Sequence, residues 1–224
     1  MSIKIAVVYT ATTPELIDRV ERELNTAVPG ATLLRYEDAS ILTEARENGI
    51  VTAFAASRLA GMFTRAILEG ADVILNACSS VGEAADSLQD FARYAGVPIV
   101  RIDEEMCREA VRTGAKIGVM ATLPTTLKPT CNTILRVARE LGRRAEVLPV
   151  LVENAFGLSG EEFAKRMLES AAPFSGKAEV ILFAQGSMAF CERLVAEAFA
   201  LPVLSSPRFG AKAVCEALKA KGLL

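Results

Sequence analysis

The chain has 224 residues, 51% of them hydrophobic, with a formal net charge of −2; this is enough apolar material for one large core or two small ones. Acidic and basic residues are mixed throughout, so nucleic-acid binding has no electrostatic basis, and no apolar run approaches the roughly 18 residues that span a bilayer. There is no histidine, which excludes Ser-His-Asp and Cys-His catalysis and removes the commonest metal ligand.

From the amino end, Met1-Ser2-Ile3-Lys4 has no signal-peptide form, and a cytoplasmic protein is expected. Strand patterns cover Lys4–Tyr9, Thr32–Tyr36, Asp72–Asn76 and Ile99–Ile102, then Lys116–Ala121, Ala145–Val150, Glu179–Ala184 and Val203–Ser205. Helical periodicity falls between them: Thr13–Thr26, Ile50–Glu69, Val81–Ala95, Glu104–Thr113, Thr125–Leu141, Glu161–Ala171, Met188–Phe199 and Ala211–Lys221. Strands that alternate with helices predict parallel sheets covered on both faces.

The chain repeats itself. Lys4-Ile5-Ala6-Val7-Val8 matches Lys116-Ile117-Gly118-Val119-Met120, Ala71-Asp72-Val73-Ile74-Leu75 matches Ala178-Glu179-Val180-Ile181-Leu182, and Val97-Pro98-Ile99-Val100 matches Leu201-Pro202-Val203-Leu204. The offsets, 112, 107 and 104 residues, shrink in order, as in a duplicated unit with shortened loops. The expected fold is α/β, with two pseudo-symmetric lobes, each holding a four-stranded parallel sheet, and an active site in the cleft between them. The lobes are placed at residues 1–98 with 206–224 and at residues 99–205.

Ligands of open parallel sheets bind beyond the carboxyl ends of the strands. Four such ends are polar: Tyr9-Thr10-Ala11-Thr12-Thr13, Asn76-Ala77-Cys78-Ser79-Ser80, Thr122-Leu123-Pro124-Thr125-Thr126 and Gln185-Gly186-Ser187. Hydroxyls and free N–H groups at helix starts suit a small carboxylate; for Thr10, Thr13 and Ser187 taken alone plain helix capping is the favoured explanation. Cys78 stands apart, since a thiol just ahead of a helix is expected to have a lowered pKa and to act as base or nucleophile. Cys107, Cys131 and Cys215 fall inside helical segments, where cysteine is a small buried hydrophobe, and Cys191 lies about one turn beyond Gln185. The five cysteines form no CxxC pair, and no glycine-rich phosphate loop occurs, so neither a metal nor a cofactor is expected.

On Asn76-Ala77-Cys78-Ser79-Ser80, the repeat and the threonine-rich turns, the chain resembles the aspartate/glutamate racemase superfamily over nearly its whole length. The resemblance implies two pseudo-symmetric lobes, no cofactor, and a cysteine from each lobe on opposite sides of the substrate α-carbon. It implies that Cys78 is the first-lobe cysteine, with Asn76, Ser79 and Ser80 as substrate-binding neighbours. It also implies that Thr122, Thr125 and Thr126 hold the substrate carboxylate; Thr10, Gly186 and Ser187 are further binding positions by their place at the strand ends. The repeat sets Gln185 where the second cysteine belongs, and an amide is no proton base. The superfamily also contains hydantoin racemases, maleate isomerases and arylmalonate decarboxylases.

The leading expectation is a cofactor-independent racemase or isomerase. It would form or protonate an enolate at the carbon α to a carboxylate, with Cys78 as acid/base and Gln185 opposite. A decarboxylase of the arylmalonate type and a cytosolic carboxylate sensor without turnover are the alternatives. The expected partner is a small carboxylate, with no nucleic acid and no membrane, in a homo-oligomer. Arg35, Arg58, Arg65 and Arg101, with Glu83 and Asp103, are within sequence reach of the cleft, although charged helix faces are usually just solvated.

Overall fold

The computed structural model describes residues 2–158 and 160–224. Met1, the first residue of the stretch read for a signal, and Ser159 lie outside the described residues. The chain forms two compact units, one running to Ile102 and completed by Pro207–Leu224, the other Asp103–Ser206. The boundaries placed at 98/99 and 205/206 therefore move to 102/103 and 206/207. The cause is the fourth strand, whose Ile74↔Ile99 and Asn76↔Arg101 pairings tie it to the first unit.

The first unit contains β1 (Lys4–Tyr9), α1 (Pro14–Ala27), β2 (Thr32–Glu37), α2 (Ala39–Asn48), α3 (Ala53–Leu68), β3 (Val73–Asn76), α4 (Gly82–Asp86), α5 (Gln89–Tyr94) and β4 (Ile99–Arg101). The second contains α6 (Glu104–Thr113), β5 (Lys116–Ala121), α7 (Pro124–Glu140), β6 (Glu146–Leu151), α8 (Gly160–Ala171), β7 (Val180–Phe183), α9 (Glu192–Phe199) and β8 (Val203–Ser205). The last helix, α10 (Ser206–Ala220), returns to the first unit, where Ala211, Val214 and Leu218 join Ile5, Val7, Leu16 and Leu24 in one core. Each unit has a four-stranded sheet, ordered β2-β1-β3-β4 and β6-β5-β7-β8, with every pairing parallel. Parallel strands covered on both faces are apolar at successive positions, and Ile5 to Tyr9 of β1 are all fully buried. Alternate residues divide between two cores: Ala6, Val8 and Ile74 pack with Leu59 and Phe63 of α3, while Ile5, Val7, Val73 and Leu75 face α1 and α10.

The duplication is visible in individual hydrogen bonds. Asp72 N–H donates to Lys4 O and Glu179 N–H to Lys116 O, both at 2.8 Å. Ala77 N–H donates to Val8 O and Ala184 N–H to Met120 O, both at 2.9 Å, and the Ile74–Pro98 and Ile181–Pro202 bonds match at 2.9 Å. The acidic residue at the start of each third strand also caps its neighbour: Asp72 Oδ2 accepts from Lys4 N–H, and Glu179 Oε2 accepts from Ala115 and Lys116 N–H.

All eight expected strands are present within a residue or two. The helices differ in four places, one being α10, which starts at Ser206, five residues before the expected Ala211. α2 has no counterpart in the helical periodicity; Asp38 caps it by accepting from Ser40 N–H, and Ile41, Leu42 and Ala45 form its buried face. The continuous helix expected over Val81–Ala95 is a 3-10 turn, Ser79–Val81, succeeded by the short α4 and α5. The helix expected over Met188–Phe199 likewise begins as a 3-10 segment, Gly186–Cys191, ahead of α9.

One substitution tests the packing of the second sheet. Gly118 occupies the position that Ala6 holds in the first unit, and a Cβ there would lie 2.9 Å from the Phe174 ring, which is 1% exposed. Gly118→Ala is expected to destabilise the protein by about 1–3 kcal/mol through overpacking, read as a lower denaturation midpoint at unchanged slope.

Candidate active site

In the first unit, the pairing of Val8 with Asn76 brings the ends of β1 and β3 side by side. Thr10 and Cys78, two residues beyond each strand partner, then face one another. Cys78 is extended (φ −140°, ψ 117°) and leads directly into the Ser79–Val81 turn. Asn76, fully buried, fastens that turn from below: its Nδ2 donates to Cys78 O at 2.9 Å, while its Oδ1 has no partner. Thr10 is also fully buried, and its hydroxyl has no hydrogen-bond partner of ordinary geometry; its electrostatic effect falls on the Cys78 thiol. Ser79 and Ser80 are buried in the turn itself.

The second unit repeats the arrangement with a different residue. Met120 pairs with Phe183, so Thr122 stands where Thr10 stands and Gln185 where Cys78 stands. Gln185 is extended too (φ −120°, ψ 131°) and also leads into a 3-10 segment. Its Oε1 accepts from Thr122 N–H at 2.6 Å and from Thr122 Oγ1 at 3.0 Å. A backbone N–H only donates, so the amide orientation is fixed: oxygen toward Thr122, Nε2 and its two hydrogens left to donate elsewhere. Thr125 and Thr126 lie in the first turn of α7; Thr125 Oγ1 is buried without a partner, and Thr126 is 2% exposed. Gly186 is half-buried and Ser187 exposed at the start of the 3-10 segment after Gln185.

The expected acidification of Cys78 is overturned. Burial pushes the thiol above its ordinary pKa. The Thr10 hydroxyl, the Ser80 and Val81 N–H groups and the Ser80 hydroxyl pull it down without cancelling that rise. The sequence argument relied on a helix start, yet Cys78 is succeeded by a three-residue 3-10 turn and the five-residue α4, too short to build a substantial macrodipole. Cys191 ends the other 3-10 segment, 1% exposed, with burial raising its pKa to about 11. Cys131 is raised to about 11 by the same cause.

The arginines near the strand ends are engaged. Arg35 pairs with Glu21 and Glu37, Arg58 with Asp38 and Glu44, Arg65 with Glu69, and Arg101 with Asp86. Glu83 is exposed, and Asp103 is fully buried ahead of α6. Among the described residues, no group of three or more Cys, Asp or Glu is placed to hold a metal ion, and no helix is long and apolar enough to cross a membrane. Sequence reasoning singles out Thr122 and Gln185 separately but misses their bond; the repeat offsets of the first and third strands are the signal that pairs them.

The titration direction leads to a measurement. Since a thiolate reacts and a thiol does not, Cys78 alkylation should rise with pH and reach its inflection above that of a free thiol. Thr10→Val removes the donor that opposes burial most, and is expected to slow alkylation near pH 8 roughly tenfold, as losing a hydrogen bond of ~1.5 kcal/mol to a charged group requires. Thr10→Ser should restore the wild-type rate, with peptide mapping across pH as the readout.

A family model described as Asp/Glu/Hydantoin racemase matches residues 5–214. No curated protein sequence matches the chain. Among solved structures, a glutamate racemase isoform from Bacillus anthracis is similar with a TM-score of 0.76 at 14% identity, over 100% of this chain and 83% of that one. An allantoin racemase from Klebsiella pneumoniae gives 0.67 at 18% identity, over 99% and 89%. An aspartate racemase from Picrophilus torridus gives 0.67 at 11% identity, over 99% and 95%. At such identities the likeness establishes the two-unit fold, and three different racemised compounds among the neighbours leave the substrate open. The family match over almost the whole length establishes kinship: the chain belongs to the Asp/Glu/hydantoin racemase family.

Proposed function

We propose that the protein is a cofactor-independent racemase- or isomerase-type enzyme that moves a proton at the carbon α to a carboxylate, on a small acid or an amino-acid derivative. The observation that carries this reading is the threonine-supported position at the end of each third strand, held by Cys78 in one unit and Gln185 in the other. Cys78 is the group that takes or gives the proton. Its raised pKa keeps it a thiol near neutral pH, and the Thr10 hydroxyl, with the Ser80 and Val81 N–H groups, lies beside the sulfur to support the thiolate when the proton leaves.

Gln185 has a different task. With its oxygen occupied by Thr122, it presents only N–H donors, which suit the negative charge that develops on a substrate carboxylate as it becomes an enediolate. Thr125, Thr126, Gly186 and Ser187 supply hydroxyls and N–H groups for that carboxylate, and Thr122, both of whose donors are taken by Gln185, holds the amide in place. Asn76 and Ser79 serve as the floor of the Cys78 turn.

A second reading has its own support. A buried, protonated thiol is ready to deliver its proton to an enediolate left when a carboxyl group departs as carbon dioxide; the C–C electron pair forms the enediolate, and the thiol proton then bonds to the α-carbon. This is decarboxylation with one thiol. A sensor without turnover differs from both, because it exchanges no substrate proton with solvent.

The stereochemical course in D₂O separates these outcomes. The wild type is expected to exchange the α-proton with retention, or to yield one enantiomer after decarboxylation, because Gln185, at the position that repeats Cys78, is no base. Gln185→Cys should add slow racemisation, and Cys78→Ala should abolish all proton transfer. Fast wild-type racemisation that survives Cys191→Ala would refute the single-thiol assignment.

The carboxylate role of the α7 turn is tested separately. Thr125→Ala is expected to weaken a bound carboxylate by about 1–3 kcal/mol, the usual loss for a hydrogen bond to a charged group. Calorimetric titration checks this, and an unchanged dissociation constant would reduce Thr125 to a helix-start residue.

A further inference from the structure

Arg101 is the most deeply buried cation described in the first unit, its side chain 1% exposed at the end of β4. Its Nη1 lies 2.5 Å from Asp86 Oδ2, at the end of α4. The guanidinium also covers Gly82: a Cβ built there would sit 2.5 Å from Cζ and Nη2 and 2.7 Å from Nε. Gly82 is thus required by contact with the arginine and not by backbone conformation, since its φ is an ordinary −60°. Gly82 N–H in turn closes the Ser79–Val81 turn by donating to Ser79 O.

The second unit holds a counterpart. Ser205 pairs with Phe183 as Arg101 pairs with Asn76, so the two residues share one register position. Ser205 Oγ donates to Glu192 Oε2 at 2.6 Å, at the start of the helix beyond the Gln185 turn. In both units, then, the end of the fourth strand reaches an acidic residue beyond the third-strand turn. Only in the unit with the thiol is the link an ion pair, with a buried guanidinium and a partly exposed carboxylate, and only there does a glycine admit it.

We propose that Arg101 is a positioning residue for Cys78: through Gly82 and Asp86 it holds the turn that buries the sulfur and aims the Ser80 and Val81 N–H groups at it. The inference rests on Cys78 being the proton-transfer group, but its test does not need turnover. The groups that act on the sulfur directly are the Thr10 hydroxyl, the Ser80 hydroxyl and N–H, and the Val81 N–H. Charged groups near the turn include Arg101 at the end of β4 and, on α4, Asp86 and the exposed Glu83.

The test is the pH profile of Cys78 alkylation by iodoacetamide, resolved by peptide mapping, in Arg101→Met, Gly82→Ala and Ser205→Ala. Arg101→Met frees the turn. Gly82→Ala displaces the guanidinium while keeping its charge and favouring helix, so it covers the case in which Arg101→Met does not fold. Both are expected to let water reach the sulfur, shift the inflection down toward that of a free thiol, and raise the rate near pH 8 at least threefold. Arg101→Lys should recover part of the wild-type profile, and Ser205→Ala should lower the melting temperature without moving the profile. An unchanged profile in folded Arg101→Met or Gly82→Ala overturns the proposal, as does an equal shift in Ser205→Ala, which would mean general loosening. Absence of turnover in the wild type, together with the expected alkylation shifts, would count against the enzymatic reading and leave the positioning role standing.

Discussion

The parallel register between the first and third strands of each sheet is the constraint on which the rest of each unit depends. Val8↔Asn76 and Met120↔Phe183 fix where both strands end, and a parallel ladder allows no small adjustment, because a one-residue slip would exchange the two faces. With these strands buried on both sides, the cost of such a slip is high. The consequence is that two residues distant in sequence, Thr10 and Cys78, or Thr122 and Gln185, are delivered to adjacent positions without any local sequence signal joining them.

The duplication makes the difference between the units chemically informative. The backbone at Cys78 and at Gln185 is nearly the same, with similar dihedrals, the same preceding ladder bond and a 3-10 turn immediately after. The side chain changes, and with it the work of its threonine. Thr10 confronts a group that ionises, and Thr122 is engaged by one that does not. One position is titratable and buried; the other is fixed in charge and in orientation. In the proposed mechanism the two halves of the chain thus share a scaffold while dividing the tasks of proton transfer and charge stabilisation.

Much of this was legible in the residues themselves. The alternating apolar strands and helical faces, and the shrinking offsets between matched strands, carry the α/β class, the two parallel sheets and the pairing of Cys78 with Gln185. Less legible were features set by tertiary contact. The Val81–Ala95 periodicity reads as one helix, because nothing local says that Gly82 must admit a guanidinium from β4. The acidity of Cys78 is hidden for a related reason: a serine-rich helix start suggests a supported thiolate, whereas the burial that outweighs it comes from Val81, Ala85 and the α3 side chains packed in the same core. The first-unit boundary depends on which sheet Ile99–Arg101 joins, and hydrogen bonding decides that, not composition.

The amino ends of the sheets differ from their carboxyl ends in a way that bears on ligand thermodynamics. At the amino ends, Asp72 and Glu179 absorb the outermost amides of β1 and β5, so each unit completes its own hydrogen bonding there. Among the described residues, the buried side-chain atoms without partners, Arg58 Nε aside, belong to Tyr9, Thr10, Asn76, Thr125 and Ser206, residues at or just beyond the carboxyl ends of strands. A group that enters at those ends forms hydrogen bonds without breaking any within the protein, while the unmet desolvation of each atom, about 1–3 kcal/mol, is relieved. Association at those ends is therefore expected to release heat out of proportion to the area it covers, with the enthalpy set by a few atoms and not by apolar contact.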